Sequence, residues 1–162
     1  MTEHNQNTAK LNSLIKDVRI AMLTTIDNGV LRSRPMDTQQ TDTDGELWFM
    51  TSGGSHKMEE IKSDNRVNLA YSDPSSNTYV SVSGTATLVT DRAKIEELWQ
   101  PIHKAWFPKG KDDPNLCLLK VSIEQAEYWD ASSSTLVQLV GFVKAIATGT
   151  SAEYGDHGKV NL

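Results

Sequence analysis

Charge of one sign never accumulates in this chain. Its 162 residues carry 16 lysines and arginines against 21 aspartates and glutamates, a formal net charge of -5. With no cationic stripe to neutralise a run of phosphates, nucleic acid is not an expected partner. Long apolar runs are equally scarce. The longest candidate, Leu136 to Ala147, is interrupted by Gln138 and Lys144 and falls short of bilayer length, so no membrane span is expected. The first residues, Met1-Thr2-Glu3-His4-Asn5-Gln6-Asn7, lack the basic-then-apolar order of a secretory leader, which predicts a cytoplasmic protein. A single cysteine, Cys117, sits in an apolar run and has no internal disulfide partner. It reads as a buried thiol rather than a nucleophile.

Familiar catalytic signatures are missing too. The four histidines, His4, His56, His103 and His157, are too scattered for a close-spaced zinc motif, so no metal is expected. There is no Gly-x-Ser-x-Gly elbow for serine hydrolysis and no Gly-x-x-x-x-Gly-Lys-Ser/Thr phosphate loop. Gly-x-Gly-x-x-Gly is absent as well, and with it the parallel βαβ setting of a dinucleotide fold. No acid, base or nucleophile can be assigned, so the catalytic residues are unknown. No repeat divides the chain, and its length suits one domain over 1–162, with loosely held tails at 1–7 and 150–162.

What is present is mostly strand. Leu11, Leu14, Ile15 and Val18 predict a helix from Thr8 to Val18. A β-rich run from Ile20 to Ile26 leads to Asn28-Gly29, a hairpin signal because both residues accept positive φ. The second strand runs from Val30 to about Gln39, with Pro35 marking an edge or bulge. Asp44-Gly45 turns the chain into a third strand, Leu47 to Thr51. Val67, Leu69 and Tyr71 alternate in a fourth. The fifth is the clearest: Val80, Val82, Gly84, Ala86 and Leu88 take one face and Tyr79, Ser81, Ser83, Thr85 and Thr87 the other. A helix from Asp91 to about Gln100 and an irregular loop, Pro101 to Asn115, precede a sixth strand, Leu116 to Ile123, which extends toward Trp129. A last helix spans Ser134 to Thr148. Hairpin order with short inserted helices predicts a mainly β (α+β) fold, a six-stranded antiparallel split β-barrel with short peripheral helices.

The stretch from Trp48 to Ile61 carries the strongest chemical hint. An apolar strand enters the turn Ser52-Gly53-Gly54-Ser55, which opens a short helix carrying His56 and Lys57 in its first turn. Backbone N–H groups, the Ser55 hydroxyl, the helix start and the Lys57 ammonium all suit one phosphate. The alternative is plainer: Ser55 caps the helix and Lys57 is solvated.

Three segments, Ser33-Arg34-Pro35-Met36, Phe49-Met50-Thr51-Ser52-Gly53-Gly54-Ser55-His56-Lys57 and Tyr79-Val80-Ser81-Val82-Ser83-Gly84, decide the matter together. With Trp106-Phe107-Pro108 and Glu127-Tyr128-Trp129-Asp130, their order resembles the flavin-binding split barrels related to pyridoxamine 5′-phosphate oxidase, in particular the bacterial general stress protein branch. The similarity spans roughly Leu11 to Leu162.

The resemblance implies bound FMN. Ser55 and Lys57 would hold its phosphate, Arg34 would reach it from the neighbouring strand, and His56 would add a further contact. Pro35 and Met36 would run beside the isoalloxazine ring, while Met50 and Thr51 would line the ring and ribityl chain. A homodimer is implied, with FMN at the subunit interface, Tyr79 and Ser81 approaching from the partner chain and Trp106 covering the ring. Plainer readings stand beside these: Arg34 paired with a surface carboxylate, and Trp106 and Trp129 serving core or dimer packing.

The resemblance has a limit. Glu96-Glu97-Leu98-Trp99-Gln100-Pro101-Ile102 and Gly158-Lys159-Val160-Asn161-Leu162 lack the second phosphate grip of the true oxidases. The expectation is therefore a flavin-dependent oxidoreductase with an unidentified small-molecule electron donor or acceptor, not a vitamin B6 oxidase. The alternatives are a non-catalytic FMN-binding or flavin-sensing stress protein, and a relative using deazaflavin or haem, with His56 or His103 as axial ligand.

Overall fold

Alternating apolar and polar residues build the strands, and short amphipathic runs build the helices. In the computed structural model the chain runs α1 (Glu3–Ile15), β1 (Ile20–Asp27), β2 (Val30–Thr43), β3 (Glu46–Ser52), α2 (His56–Ser63), β4 (Arg66–Asp73), β5 (Thr78–Val89), α3 (Arg92–Leu98), β6 (Leu116–Asp130) and β7 (Asp156–Asn161). The structure describes residues 3–43, 45–131, 143–151 and 156–161.

Every strand pair is antiparallel, in the order β3-β2-β1-β4-β5-β6-β7, and β3 also pairs with β6. That last pairing closes β1 to β6 into a six-stranded barrel and leaves β7 outside it. At the β1–β2 turn Asn28 and Gly29 adopt φ of 49° and 81°, the positive values that the Asn-Gly pair predicts. β6 does three jobs. Leu116 to Ser122 pair with β3, while Gln125 to Asp130 pair with β7, and nearly its whole length pairs with β5. Where β6 passes from one partner to the other, its register against β5 shifts at Ser83/Gly84. A Cβ on Gly84 would lie 2.1 Å from the Ser122 carbonyl oxygen, so only glycine permits this approach.

Leu23, Leu47, Phe49, Leu69, Val82, Leu119 and Val121 fill the barrel and are wholly buried. Leu11 and Ile15 of α1 and Met58 and Ile61 of α2 join the same cluster. A smaller cluster gathers Trp48, Leu116 and Leu118 under Ile95 and Leu98 of α3. Asp91 caps α3, its carboxylate accepting the Ala93 N–H at 3.0 Å.

Several boundaries differ from expectation. α1 starts at Glu3, within the expected tail, because Asn7 and Lys10 find partners on β6 and β7: Asn7 donates to the Asn161 carbonyl, and Lys10 pairs with Asp130 and Asp156. Asp156–Asn161, also expected as a loose tail, forms β7 on the free edge of β6. The loop after α3 contains short 3-10 turns at Pro101–Ala105 and Gly110–Asp112. The expected last helix is seen over residues 143–148, where Val143 and Ile146 are exposed. Its earlier portion, including Leu136, Leu139 and Val140, lies outside the described residues.

Candidate functional site

The ladder between β2 and β3 ends at Thr38↔Phe49. Beyond that pair the strands part, β2 through Asp37, Met36 and Pro35, and β3 through Met50, Thr51 and Ser52. Pro35 stands where β2 has only β1 beside it, so its missing N–H is tolerated. A cavity of about 460 Å³ occupies the opening, walled by these residues, by Ile20 and Gln39, by Lys57 from α2, and by His103, Trp106 and Phe107.

One end of the cavity is short of negative charge. Lys57 is half-buried and forms no salt bridge among the described residues. Burial lowers its pKa, and the nearby Arg34 charge lowers it further, against weaker pulls from Cys117 and Glu60. Ser55 begins α2 in extended conformation, yet its side chain makes no capping hydrogen bond. Its Oγ and the Thr51 Oγ1 are buried with no hydrogen-bond partner among the described residues. The capping role that the sequence leaves open for Ser55 is therefore not used. The Gly53 N–H, expected to face an anion, donates instead to the Asn115 carbonyl at 2.7 Å. Cys117 is buried behind this turn, its thiol directed at the Thr51 carbonyl at 3.5 Å. Burial raises its pKa, which keeps it a thiol.

Arg34 does not line the cavity. Its guanidinium donates to Glu60 Oε2 at 2.7 Å and to Thr25 Oγ1 at 2.5 Å, and Thr25 in turn donates to the same carboxylate. Its partner is thus a carboxylate only 4% exposed, not a surface one. The Thr25 hydrogen bond, with Arg34 behind it, holds the Glu60 carboxyl below its usual range despite burial.

Pro35, Met36, Met50, Thr51, Lys57 and Trp106 therefore share one wall, and Ser55 stands in the turn beside it. His56 is exposed at the first position of α2. Tyr79 and Ser81 lie on the outer face of β5, Ser81 accepting from Asn68 at 2.9 Å. Within this one chain nothing brings them to the cavity. Ile20, Asp37, Gln39, Ser52, His103 and Phe107 are wall residues that sequence reasoning did not place in the flavin site. Asp37 directly follows the Arg34-Pro35-Met36 run, so continuing that strand by one residue would have found it. The sequence offers His103 only as a haem-ligand alternative, with no signal tying it to a flavin site.

The family model described as "Pyridoxamine 5'-phosphate oxidase like" matches residues 6–153. The chain is 30% identical over 159 residues to protein bli-3 of Neurospora crassa, covering 91% of this chain and 76% of that protein. It is 31% identical over 125 residues to general stress protein 26 of Bacillus subtilis, covering 75% of this chain and 86% of that one. Among solved structures, the general stress FMN/FAD binding protein of Xanthomonas citri superposes with a TM-score of 0.69 at 32% identity, covering 80% of this chain and 92% of that chain.

Proposed function

Because the chain belongs to the pyridoxamine 5′-phosphate oxidase-like family, we propose that its cavity holds FMN. In this reading the protein is a general-stress-type, flavin-dependent oxidoreductase acting on a small molecule, and not a vitamin B6 oxidase. One observation carries it: Lys57, which has no salt bridge among the described residues, lines the cavity together with the buried, unpartnered Thr51 Oγ1, and the equally unpartnered Ser55 Oγ lies in the adjoining turn. A buried positive charge and spare donors call for an anion with several acceptor oxygens, which a phosphate monoester is. The similarity to a Xanthomonas citri protein described as FMN/FAD binding supports the same ligand.

In this reading Ser55, Thr51 and Lys57 bind the phosphate, and Arg34 adds charge while it stays paired with Glu60. His56, exposed at the first position of α2, would add a further contact. Pro35, Met36 and Met50 offer the ring an apolar slot, and Trp106, 67% exposed, is free to cover it. FMN supplies the reversible acceptance of a hydride, while the chain binds it, orients it and excludes water. Lys57 is the only lysine or arginine among the described wall residues, which suits one phosphate and leaves none for a phosphorylated vitamin.

A homodimer belongs to the proposal. Ile20, Met22, Tyr79 and Trp129 are all exposed on the outer barrel face, and Ile20 also lines the cavity. Met22 sits beside Ala70, Ala70 beside Ser81, and Tyr79 beside Trp129, so the exposed groups form one surface. Packing that surface against a second copy sets Tyr79 and Ser81 at a shared boundary. A cytoplasmic location is consistent with the lone, unpaired Cys117.

Titrating apoprotein with FMN and following flavin fluorescence tests the reading, with saturable quenching expected. Absence of binding overturns it. Adding NADH or NADPH anaerobically then separates the functions: bleaching supports the oxidoreductase, whereas an inert, tightly bound flavin favours the non-catalytic sensing alternative. Ultracentrifugation should find a dimer, and a monomer that binds FMN tightly contradicts the interface.

A further inference from the structure

The histidine in the cavity wall uses only one of its nitrogens. His103 Nδ1 accepts the Gln100 backbone N–H at 2.9 Å, closing the turn at Pro101–Ala105. That bond requires an unprotonated Nδ1, so the neutral ring carries its proton on Nε2. Burial favours the neutral form, with the Asp37 charge opposing and the Arg19 charge assisting. Asp37, the charged neighbour, makes no hydrogen bond to Nε2; its carboxylate pairs with Arg19 at 3.2 and 2.6 Å. Nε2 is buried and has no hydrogen-bond partner among the described residues, in a residue only 4% exposed that lines the cavity.

Capping a turn accounts for Nδ1 but not for Nε2. A buried N–H without an acceptor is a cost that folded proteins rarely carry. His103 is also tied to the other residues of this wall. Its carbonyl accepts the Trp106 N–H at 3.1 Å and the Phe107 N–H at 2.9 Å, so the backbone holding both cavity-lining aromatics hangs from it. Trp99 packs edge-on against the ring at 5.4 Å and limits its freedom to turn away.

We propose that His103 is a ligand-contacting residue, whose Nε2–H donates a hydrogen bond to a carbonyl-type oxygen of the molecule filling the cavity. The oxygen belongs either to the flavin itself or to a neutral carbonyl compound, such as a quinone, bound against it. This inference rests on the flavin reading of the same cavity. A neutral donor at this wall selects for an oxygen acceptor and against an amine, which presents further donors.

The test follows the His103 side-chain Nε2–H resonance of 15N-labelled wild-type protein through three states: apo, with FMN, and with FMN plus duroquinone. Duroquinone offers two carbonyl oxygens and no site for thiol addition. A downfield shift on adding FMN assigns the acceptor to the flavin. His103→Phe should then weaken FMN binding about tenfold, while His103→Gln, which keeps a donor, stays near wild type. A shift that appears only with duroquinone assigns the acceptor to the second molecule, and FMN affinity in His103→Phe is then unchanged. A resonance unmoved by either ligand overturns the proposal, and thermal unfolding of both variants checks the turn that Nδ1 caps. If wild-type protein binds no FMN at all, the flavin reading fails and takes this inference with it. If FMN binds and the resonance stays fixed, only the role of His103 fails.

Discussion

Lys57 and Glu60 lie three positions apart on α2 and meet opposite surroundings. Glu60 is buried between Arg34 and Thr25, with its charge answered inside the fold. Lys57 faces the cavity and has no salt bridge among the described residues. The difference separates two uses of charge. A compensated buried ion pair belongs to the architecture, whereas in the proposed FMN reading the uncompensated ion at the cavity wall awaits a partner from outside. Arg34 shows why the distinction needs a structure. The family resemblance implies that it reaches the phosphate from the neighbouring strand, and the fold pairs it with a buried carboxylate.

The largest effect should come from breaking the compensated side. Arg34→Met leaves Glu60 buried and unpaired, and is expected to cost about 3–5 kcal/mol of apoprotein stability in urea unfolding. The same pair gives an acid signature. Because the folded Glu60 pKa lies below its usual 4.5, its stabilising contribution is complete above that value and is lost as pH falls through the lowered one. A pH series of urea midpoints should therefore show wild type losing stability at the acid end, with Glu60→Gln flatter there.

Breaking the uncompensated side should leave folding alone and strike the ligand. Lys57→Ala is expected to weaken FMN binding by about 1.5–3 kcal/mol, the worth of a charge-assisted contact, as read by fluorescence titration. Apoprotein stability should not fall with it, because removing a half-buried ammonium relieves desolvation and repulsion from Arg34. Unchanged FMN affinity would remove Lys57 from the site.

The smallest effects compare the two helix starts. Asp91 makes a real cap on α3, so Asp91→Ala should cost about 1 kcal/mol of stability. Ser55 makes no capping bond at α2, so Ser55→Ala should cost less than about 0.5 kcal/mol. Its effect should appear instead in FMN affinity. A full capping penalty at Ser55 would return that hydroxyl to a structural role.

Much of the barrel was legible because strand alternation and turn chemistry are local. The β5 pattern placed Val80, Val82, Gly84 and Ala86 inward as expected, and Asn28-Gly29 turned as its conformational freedom demands. Asp156–Asn161 was not legible, since its residues have little apolar alternation and it becomes a strand only by borrowing the edge of β6. The site divided the same way. Pro35, Met36, Met50, Thr51 and Lys57 were grouped through the family resemblance of their segments, and the fold brings them to one cavity. His103 was not readable, because it approaches across a turn distant in sequence and its meaning lies in a nitrogen left without a partner.

By itself the sequence determined the first six strands, their hairpin order and the inward face of β5. Each of these follows from spacing and residue type within a few positions. Only the tertiary structure decided which charges are answered internally. Pairing depends on distances between residues such as Arg34 and Glu60 that spacing cannot encode, and at the cavity wall the fold leaves Lys57 without a salt bridge and Thr51 Oγ1 and His103 Nε2 without partners among the described residues.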